Sequence, residues 1–358
     1  MKEVVIGLGF GDEGKGLVTD WRCSLNPEAT VIRYSGGHQA AHNVVIGDKN
    51  HIHSNFGSGT LRGNPTYWNC KTFDPVGYIK ELSILKEKGV NPVIKINPMC
   101  PVTTPFDKIK NMSEDESNNH GSVGVGFGAT IQREQDNYHL YFQDLMYPEI
   151  FRAKISSIMD YYKGYDWSSL DGFIEKCLSL PVEDLINTDI DLDNVIYESS
   201  QGILLDMDYG IFPNVTRSRV GTQEVSLCDS ELFLVTRCYQ TRHGNGYCSE
   251  IKCNPFNNNE TNLNDGFQGV FKTRVLDLDM LNYSINIDSG IRNSQNRNLV
   301  ITCLDQMGDA FPVVHGGSVV IFEKEAEFVD FIISNIPEMN NVYLSYGPAS
   351  KDIRKYKG

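Results

Sequence analysis

No apolar run approaches the roughly 18 residues that a membrane-crossing helix needs, and the chain shows no internal repeat and no low-complexity tract. A bilayer-spanning helix, a solenoid and a disordered class are therefore not expected. The first residues, Met1-Lys2-Glu3-Val4-Val5-Ile6-Gly7, are broken by glycine too soon for a secretory signal. Paired cysteines are missing as well. The 9 cysteines are scattered without a CxxC, and Cys248 with Cys253 has no second half to complete a zinc site. Such a set reads as buried free thiols in a reducing cytoplasm, the host's if the source is viral. Positive charge is scarce: 32 Lys and Arg face 46 Asp and Glu, a formal net charge of -14. A nucleic-acid backbone recruits a net basic surface, so nucleic acid is not an expected partner. A local basic pocket for one nucleotide is compatible with this balance.

With 358 residues, 40% of them hydrophobic and 22% charged, the chain can bury a substantial core. Short β-branched runs recur at 4–6, 29–33, 43–46, 92–96, 194–197, 299–303, 319–322 and 341–344. Segments with helical apolar spacing, 76–88, 147–162 and 226–238, lie between several of them. This alternation predicts an α/β fold, with a mainly parallel central sheet and flanking helices. Two polar stretches, 112–128 and 254–268, read as long active-site loops within a single domain covering 1–358.

Gly9-Phe10-Gly11-Asp12-Glu13-Gly14-Lys15-Gly16 follows the first strand directly and precedes a helical run from Leu17. Glycines there let main-chain N–H groups approach phosphates, and the helix N-terminus adds favourable partial charge. Lys15 would sit against the phosphates, and Asp12 is suited to hold Mg²⁺ or to take a proton. The loop is P-loop-like but lacks the GxxxxGK[ST] spacing. The plainer reading is a glycine-rich strand–helix turn with exposed charges.

That loop resembles the GDEGKG signature of the adenylosuccinate synthetase family. Further on, Arg33-Tyr34-Ser35-Gly36-Gly37-His38-Gln39-Ala40-Ala41-His42 is similar to its RYxGGHNAGH. The resemblance continues in family order: residues 121–128 look like GTTGRGIGP, 197–206 like FEGAQGxLLD and 209–216 like HGTYPxVT. Residues 241–246 look like TRVGxGP, 302–305 like TKLD and 345–348 like STGP. It implies a ligase that joins L-aspartate to C6 of a purine nucleotide through a 6-phosphoryl intermediate. Asp12 and His42 would then be the catalytic pair. Glu13, Gly14, Lys15, Gly16, Asp305, Ser345, Gly347 and Pro348 would bind the triphosphate. The nucleotide substrate would meet Asp12, Gln39, Ser122, Val123, Gln201 and Thr216, and the aspartate would meet Lys272, Thr273 and Arg274. Mg²⁺ would be held by Asp12 and the Ala41 carbonyl, and a homodimer is implied.

The chemistry asks for these residue types. A purine 6-oxygen leaves easily only once phosphorylated, and that transfer needs Mg²⁺ and cations around the moving phosphoryl group. A carboxylate must take the N1 proton while an acid supports the γ-phosphoryl. An aspartate carboxylate needs a cation, for which Arg274 offers a two-pronged fork. The family pattern is also altered. Gln39 replaces asparagine, Ala41 glycine, Ser122-Val123 a threonine pair and Cys303 a lysine beside the guanine of GTP. Loss of that lysine favours ATP or dATP, whereas Asp305 retains a reader for GTP. Tyr138 falls where the family's partner-contributed arginine lies, with Arg133 as the alternative. The changed nucleotide pocket points to the branch that converts dGMP to N6-succino-2-amino-2′-deoxyadenylate, a precursor of 2-aminoadenine DNA. Use of IMP with GTP is the alternative, and a nucleotide-binding regulator without turnover is a third.

Overall fold

The computed structural model describes residues 2–118, 123–165, 168–255 and 269–357. The first half contributes β1 (Lys2–Gly7), β2 (Thr30–Arg33), β3 (His42–Ile46), β4 (Lys49–His53), β5 (Thr66–Trp68), β6 (Ile94–Ile96) and β7 (Val195–Gly202). The second adds β8 (Ser230–Arg237), β9 (Tyr239–His243), β10 (Phe271–Asp277), β11 (Arg297–Thr302), β12 (Phe311–His315), β13 (Ser318–Phe322), β14 (Asn341–Ser345) and β15 (Ile353–Lys355). Helices α1 (Lys15–Leu25), α2 (Pro75–Glu87), α3 (Pro105–Asn118), α4 (Phe127–Gln135) and α5 (Pro148–Tyr161) come first. They are followed by α6 (Leu170–Leu178), α7 (Val182–Asn187), α8 (Leu278–Ile287), α9 (Ser289–Asn293) and α10 (Glu325–Ser334).

Among the described residues, a 9-stranded sheet has the order β15-β14-β11-β8-β1-β7-β2-β5-β6. Every pairing in it is parallel except β14 with the edge strand β15. Helices cover both faces, which is why the central strands are apolar on successive residues. Val4 and Ile6 of β1 pack with Leu232 and Leu234 of β8 and with α8 and α10, while Val5, Phe233 and Val235 pack on the α1 side with Val18 and Cys23. Each such side chain contributes about 1.5–3 kcal/mol when fully buried. A second sheet, β13-β12-β10-β9, and the hairpin β3–β4 stand against this frame. The expected mainly parallel sheet with flanking helices is what forms. Of the 9 cysteines, all free, Cys23, Cys70, Cys100, Cys177, Cys238 and Cys253 are buried. Among the described residues no helix is long and apolar enough to cross a membrane.

Two expectations need correction. The segment 226–238 is not helical: its core is β8, which pairs with both β1 and β11 and is buried along nearly its whole length. A strand buried on both faces loses its alternation, so its apolar run mimics helical spacing. The stretch 112–128 is not one loop either, because 112–118 continues α3 and Phe127 opens α4. Thr104 donates from its N–H and Oγ to Asp107 Oδ2, at 2.7 and 2.8 Å, and Pro105 starts the first turn, so α3 is well nucleated. Its polar C-terminal half is helix rather than loop. Most of the second stretch, 256–268, lies outside the described residues.

Candidate active site

Strands β1, β2, β7, β8, β11 and β14 run in the same direction, so Gly7, Arg33, Gly202, Arg237, Thr302 and Ser345 end on one edge. β1 has β7 on one side and β8 on the other, and the chain order reverses there. Open α/β sheets bind ligands at such a switch, beyond the carboxyl ends of the strands. Most of the expected site residues lie at or after one of these ends; Val123 and the β10 residues Lys272, Thr273 and Arg274 do not.

The glycine loop after β1 is organised from within. Gly14 has a φ of 94° and caps α1, so a side chain there would be strained. Glu13 folds back under the loop, accepting from the Gly9 N–H, and Lys15 Nζ lies 3.2 Å from its Oε2. Burial raises the Glu13 carboxyl against the pull of Lys15. A Cβ on Gly202 would lie 2.3 Å from Gly9 O and 2.8 Å from Glu13 Oε1, so β7 can approach the loop only through a glycine. Glu13 thus builds the cradle, holding the Gly9 N–H and Lys15 Nζ together beneath the loop.

Asp12 sits above this cradle with a φ of 57°, a conformation that costs a non-glycine residue on the order of 1 kcal/mol. Its Oδ2 accepts from His243 Nε2 at 2.9 Å, and Arg237 Nε donates to its main-chain carbonyl. A carboxylate only accepts, so the proton of neutral His243 is on Nε2. Burial pushes Asp12 up, but His243, Arg237 and Lys15 together hold it below the usual carboxylate value. The Asp12 side chain is still 35% exposed, open to a ligand.

His42 stands on the other flank of the loop, where a Cβ on Gly16 would lie 2.8 Å from its own Cβ. Its Nδ1 is 2.6 Å from Glu198 Oε1 and therefore donates, leaving Nε2 as the atom with chemistry to offer. Glu198 also accepts from Ser58 Oγ, and from Ser58 N–H at 3.0 Å, with Arg33 Nε 4.0 Å away. Burial pushes Glu198 up, yet His42 and Arg33 outweigh it and hold the carboxyl down at about 2. Burial likewise pushes His42 down, to about 4, with Glu198 pulling the other way. His42 is therefore neutral, and an arriving anion would raise it.

The remaining expected residues are placed as follows. Gln39 lies between Gly36 and Gly37, and its Oε1 and Nε2 are buried with no hydrogen-bond partner. Gln201 Oε1 accepts from Ser200 Oγ at 2.7 Å. Thr216 and Val123 are half-buried, whereas Ser122 lies outside the described residues. Asp305 is exposed just after β11, and desolvation by the surrounding chain raises its carboxyl. Ser345 is buried at the end of β14 with Oγ on Gly347 O at 3.0 Å, and Pro348 is exposed. Ala41 is exposed while Arg33 Nη2 holds Ala40 O at 2.6 Å, which leaves the next carbonyl on an anchored turn. Asp12 and the Ala41 carbonyl offer oxygen alone, the donor chemistry that Mg²⁺ prefers.

Lys272, Thr273 and Arg274 are consecutive in β10, so their side chains alternate between faces. Thr273 pairs with Thr241, whose Oγ reaches Gly11 O at 3.2 Å, and Phe271 pairs with His243. Lys272 Nζ reaches Gly244 O at 2.5 Å, and Arg274 pairs with no carboxylate among the described residues. Arg133 cannot serve as an arginine offered to a partner. It is wholly buried, bonded to Asp107 Oδ1 at 3.1 Å, Glu134 Oε1 at 2.8 Å and Val102 O at 2.8 Å. Tyr138, the other expected position, is 36% exposed. Sequence reasoning also missed the roles of Glu198 and His243. Both lie inside recognised motifs, and an acidic residue amid a buried strand was the signal for Glu198.

Comparison with known proteins identifies the family. The family model described as adenylosuccinate synthetase matches residues 4–311. The adenylosuccinate synthetase of Nitrosomonas eutropha is 31% identical over 276 residues, 68% of this chain and 63% of that protein. That of Pseudoalteromonas atlantica is 31% identical over 285 residues, 70% of this chain and 65% of that protein. The matches thus span a little under two thirds of these relatives' length. The fully ligated adenylosuccinate synthetase structure from Plasmodium falciparum superposes with a TM-score of 0.76 at 16% identity, covering 99% of both chains. The succinoaminodeoxyadenylate synthetase of cyanophage S-2L gives 0.64 at 15% identity, covering 100% of this chain and 95% of that one. At such identities the structural likeness concerns the fold. The family match runs over most of the sequence, from the first strand to β12, and by it this chain belongs to the adenylosuccinate synthetase family.

Proposed function

We propose that the chain is a ligase that joins L-aspartate to C6 of a 6-oxopurine nucleotide, with a nucleoside triphosphate as phosphoryl donor. The observation that carries this is the pairing of Asp12 with His243 and of His42 with Glu198 on the two flanks of one phosphate-binding loop. In the first step the purine O6 attacks the γ-phosphorus and the bond to the leaving diphosphate breaks. Asp12, kept ionised by its cationic surroundings, takes the N1 proton. His42, protonated once the charge of the bound triphosphate has raised it, donates from Nε2 to the transferred phosphoryl oxygen, while Glu198 fixes its ring through Nδ1. In the second step the aspartate amine attacks C6, the C6–O bond breaks and inorganic phosphate leaves. Asp12 and the Ala41 carbonyl would hold Mg²⁺, which neutralises charge on the triphosphate. Arg274 and Lys272, one strand away from His243, are the cations offered to the aspartate carboxylates.

For the nucleotide, IMP is favoured. His243 already occupies Asp12 Oδ2, so Asp12 turns one oxygen to the ligand, which matches the single N1–H of IMP. The curated relatives at about 30% identity, each named adenylosuccinate synthetase, support the same reading. This reverses the preference drawn from the sequence. The second reading, dGMP with ATP or dATP, is favoured by Gln39, whose buried and unpartnered carboxamide offers an acceptor for a 2-amino group. The fold is compatible with it, since the cyanophage protein is bound to dGMP and dATP. Aspartate-dependent phosphate release from IMP, GMP and dGMP, each with ATP and with GTP, separates the readings. IMP should exceed dGMP by about tenfold in kcat/KM, the scale of one unmatched polar group. A higher value for dGMP selects the second reading. No aspartate-dependent release from any pair overturns the ligase assignment.

A further inference from the structure

We propose that His51, His53 and Glu81 form a binding site for a zinc-type transition-metal ion, behind the hairpin that carries His42. It is separate from the Asp12–Ala41 pair and does not rest on the proposed reaction. In β4 the residues alternate between exposed and buried, and His51 and His53 are the inward positions, 4% and 0% exposed. Their rings meet edge-on with centroids 4.6 Å apart. Glu81, on the inner face of α2, lies against both, its Oε1 3.3 Å from His51 Nε2 and 3.8 Å from His53 Nδ1. One ligand atom from each residue lies within 4.8 Å of the others, the one such set of three among the described residues. Two imidazoles and a carboxylate are a zinc donor set, with a further position for water, whereas Mg²⁺ prefers oxygen alone.

A second observation points the same way. Both ring nitrogens of His53 are buried without a hydrogen-bond partner, although buried polar groups are nearly always paired. Asn55 Oδ1 is buried and unpartnered too, on a side chain whose Nδ2 donates to Glu81 Oε2 at 3.0 Å. The surroundings already orient the ligands. Glu81 accepts from Ser54 N–H at 3.1 Å and Asn55 N–H at 2.7 Å, which fixes its carboxylate as outer partners fix metal ligands. Lys88 Nζ lies 3.1 Å from His51 Nδ1 and 2.6 Å from Asn50 O. An ammonium only donates, so without metal His51 carries its proton on Nε2. On metal binding that proton shifts to Nδ1 and Lys88 keeps its bond to Asn50. His53 is the cross-strand partner of His42, so the ion would pin β4 to α2 directly beside the proposed acid.

The test uses the full chain, stripped with chelator and dialysed, then titrated with Zn²⁺ alone in the presence of excess Mg²⁺. The proposal expects one equivalent retained by metal analysis and native mass spectrometry, and a raised melting temperature. Co²⁺ should give the absorption bands of a low-coordinate nitrogen–oxygen site. His53→Gln should weaken Zn²⁺ binding at least about tenfold and abolish those bands, and His51→Asn should do the same if His53→Gln fails to fold. Wild-type protein that retains no Zn²⁺, or folded variants that bind as the wild type does, would overturn the proposal.

Discussion

Asp12 and His42 each have a neighbour that decides what they can do, and that neighbour is far away in the chain. Removing either proposed acid–base group should cut turnover at least about a hundredfold. Asp12→Ala is therefore expected to keep its melting behaviour, and His42→Ala to melt lower, since it leaves the buried Glu198 without its partner. Both should lose steady-state activity, and a residue whose folded variant stays within a few-fold of wild type drops out of the mechanism. His243 gives a subtler test, because the family motif it resembles has valine there. His243 helps to hold Asp12 down, so His243→Val should let the Asp12 carboxyl rise. The acidic limb of the kcat/KM profile should then move to higher pH, and an unmoved limb would show that His243 only packs. Asp12 and Lys15 stood out in sequence because they share one short glycine loop, and His42 only through its resemblance to the family's second motif. The His243–Asp12 bond spans 231 positions and leaves no local pattern.

Among the elements, legibility followed burial. Strands such as β1, β2, β6 and β14 announced themselves as short β-branched runs, and α2 and α5 as amphipathic periods with proline at the start. β8 did not, because burial on both faces erased its alternation, and the polar end of α3 hid a helix. The contacts between elements were least legible of all, since they depend on what a side chain would strike. Gly202→Ala adds one methyl group against Gly9 O, and overpacking of this kind costs about 1–3 kcal/mol. Chemical denaturation should show that loss, together with a higher KM for the triphosphate. Full stability with normal triphosphate saturation would mean the loop has slack the geometry does not suggest. In β10 the alternation of side chains separates Lys272 and Arg274 from Thr273. Arg274→Ala should raise the KM for aspartate and spare nucleotide binding, and the reverse pattern would assign this strand to the nucleotide.

For the molecule as a whole, the buried His42–Glu198 pair predicts how stability depends on pH. His42 titrates near 6.5 when unfolded and at about 4 when folded. The unfolded chain thus takes up a proton that the native state refuses across that window. Its contribution is complete above pH 6.5 and is lost as pH falls towards 4, on the order of 1 kcal/mol per pH unit. Glu198, held at about 2 against an ordinary 4.5, adds a loss in the same direction below that. Urea midpoints between pH 7 and 5 should fall for wild type and fall less for His42→Gln; parallel slopes would contradict the pair's burial. The shared edge of six parallel strands has a consequence of another kind. Its walls are drawn from loops that begin at Leu8 and close with Pro348, and parallel neighbours such as β1 and β7 meet only after a long excursion. Pairings of that sort form slowly. During synthesis the phosphate-binding turn is made early and must wait, ligand-free, until the strand carrying Ser345 has docked. The proposed activity should thus appear only after that strand has docked, and a chain cut before Asn341 should spend no triphosphate.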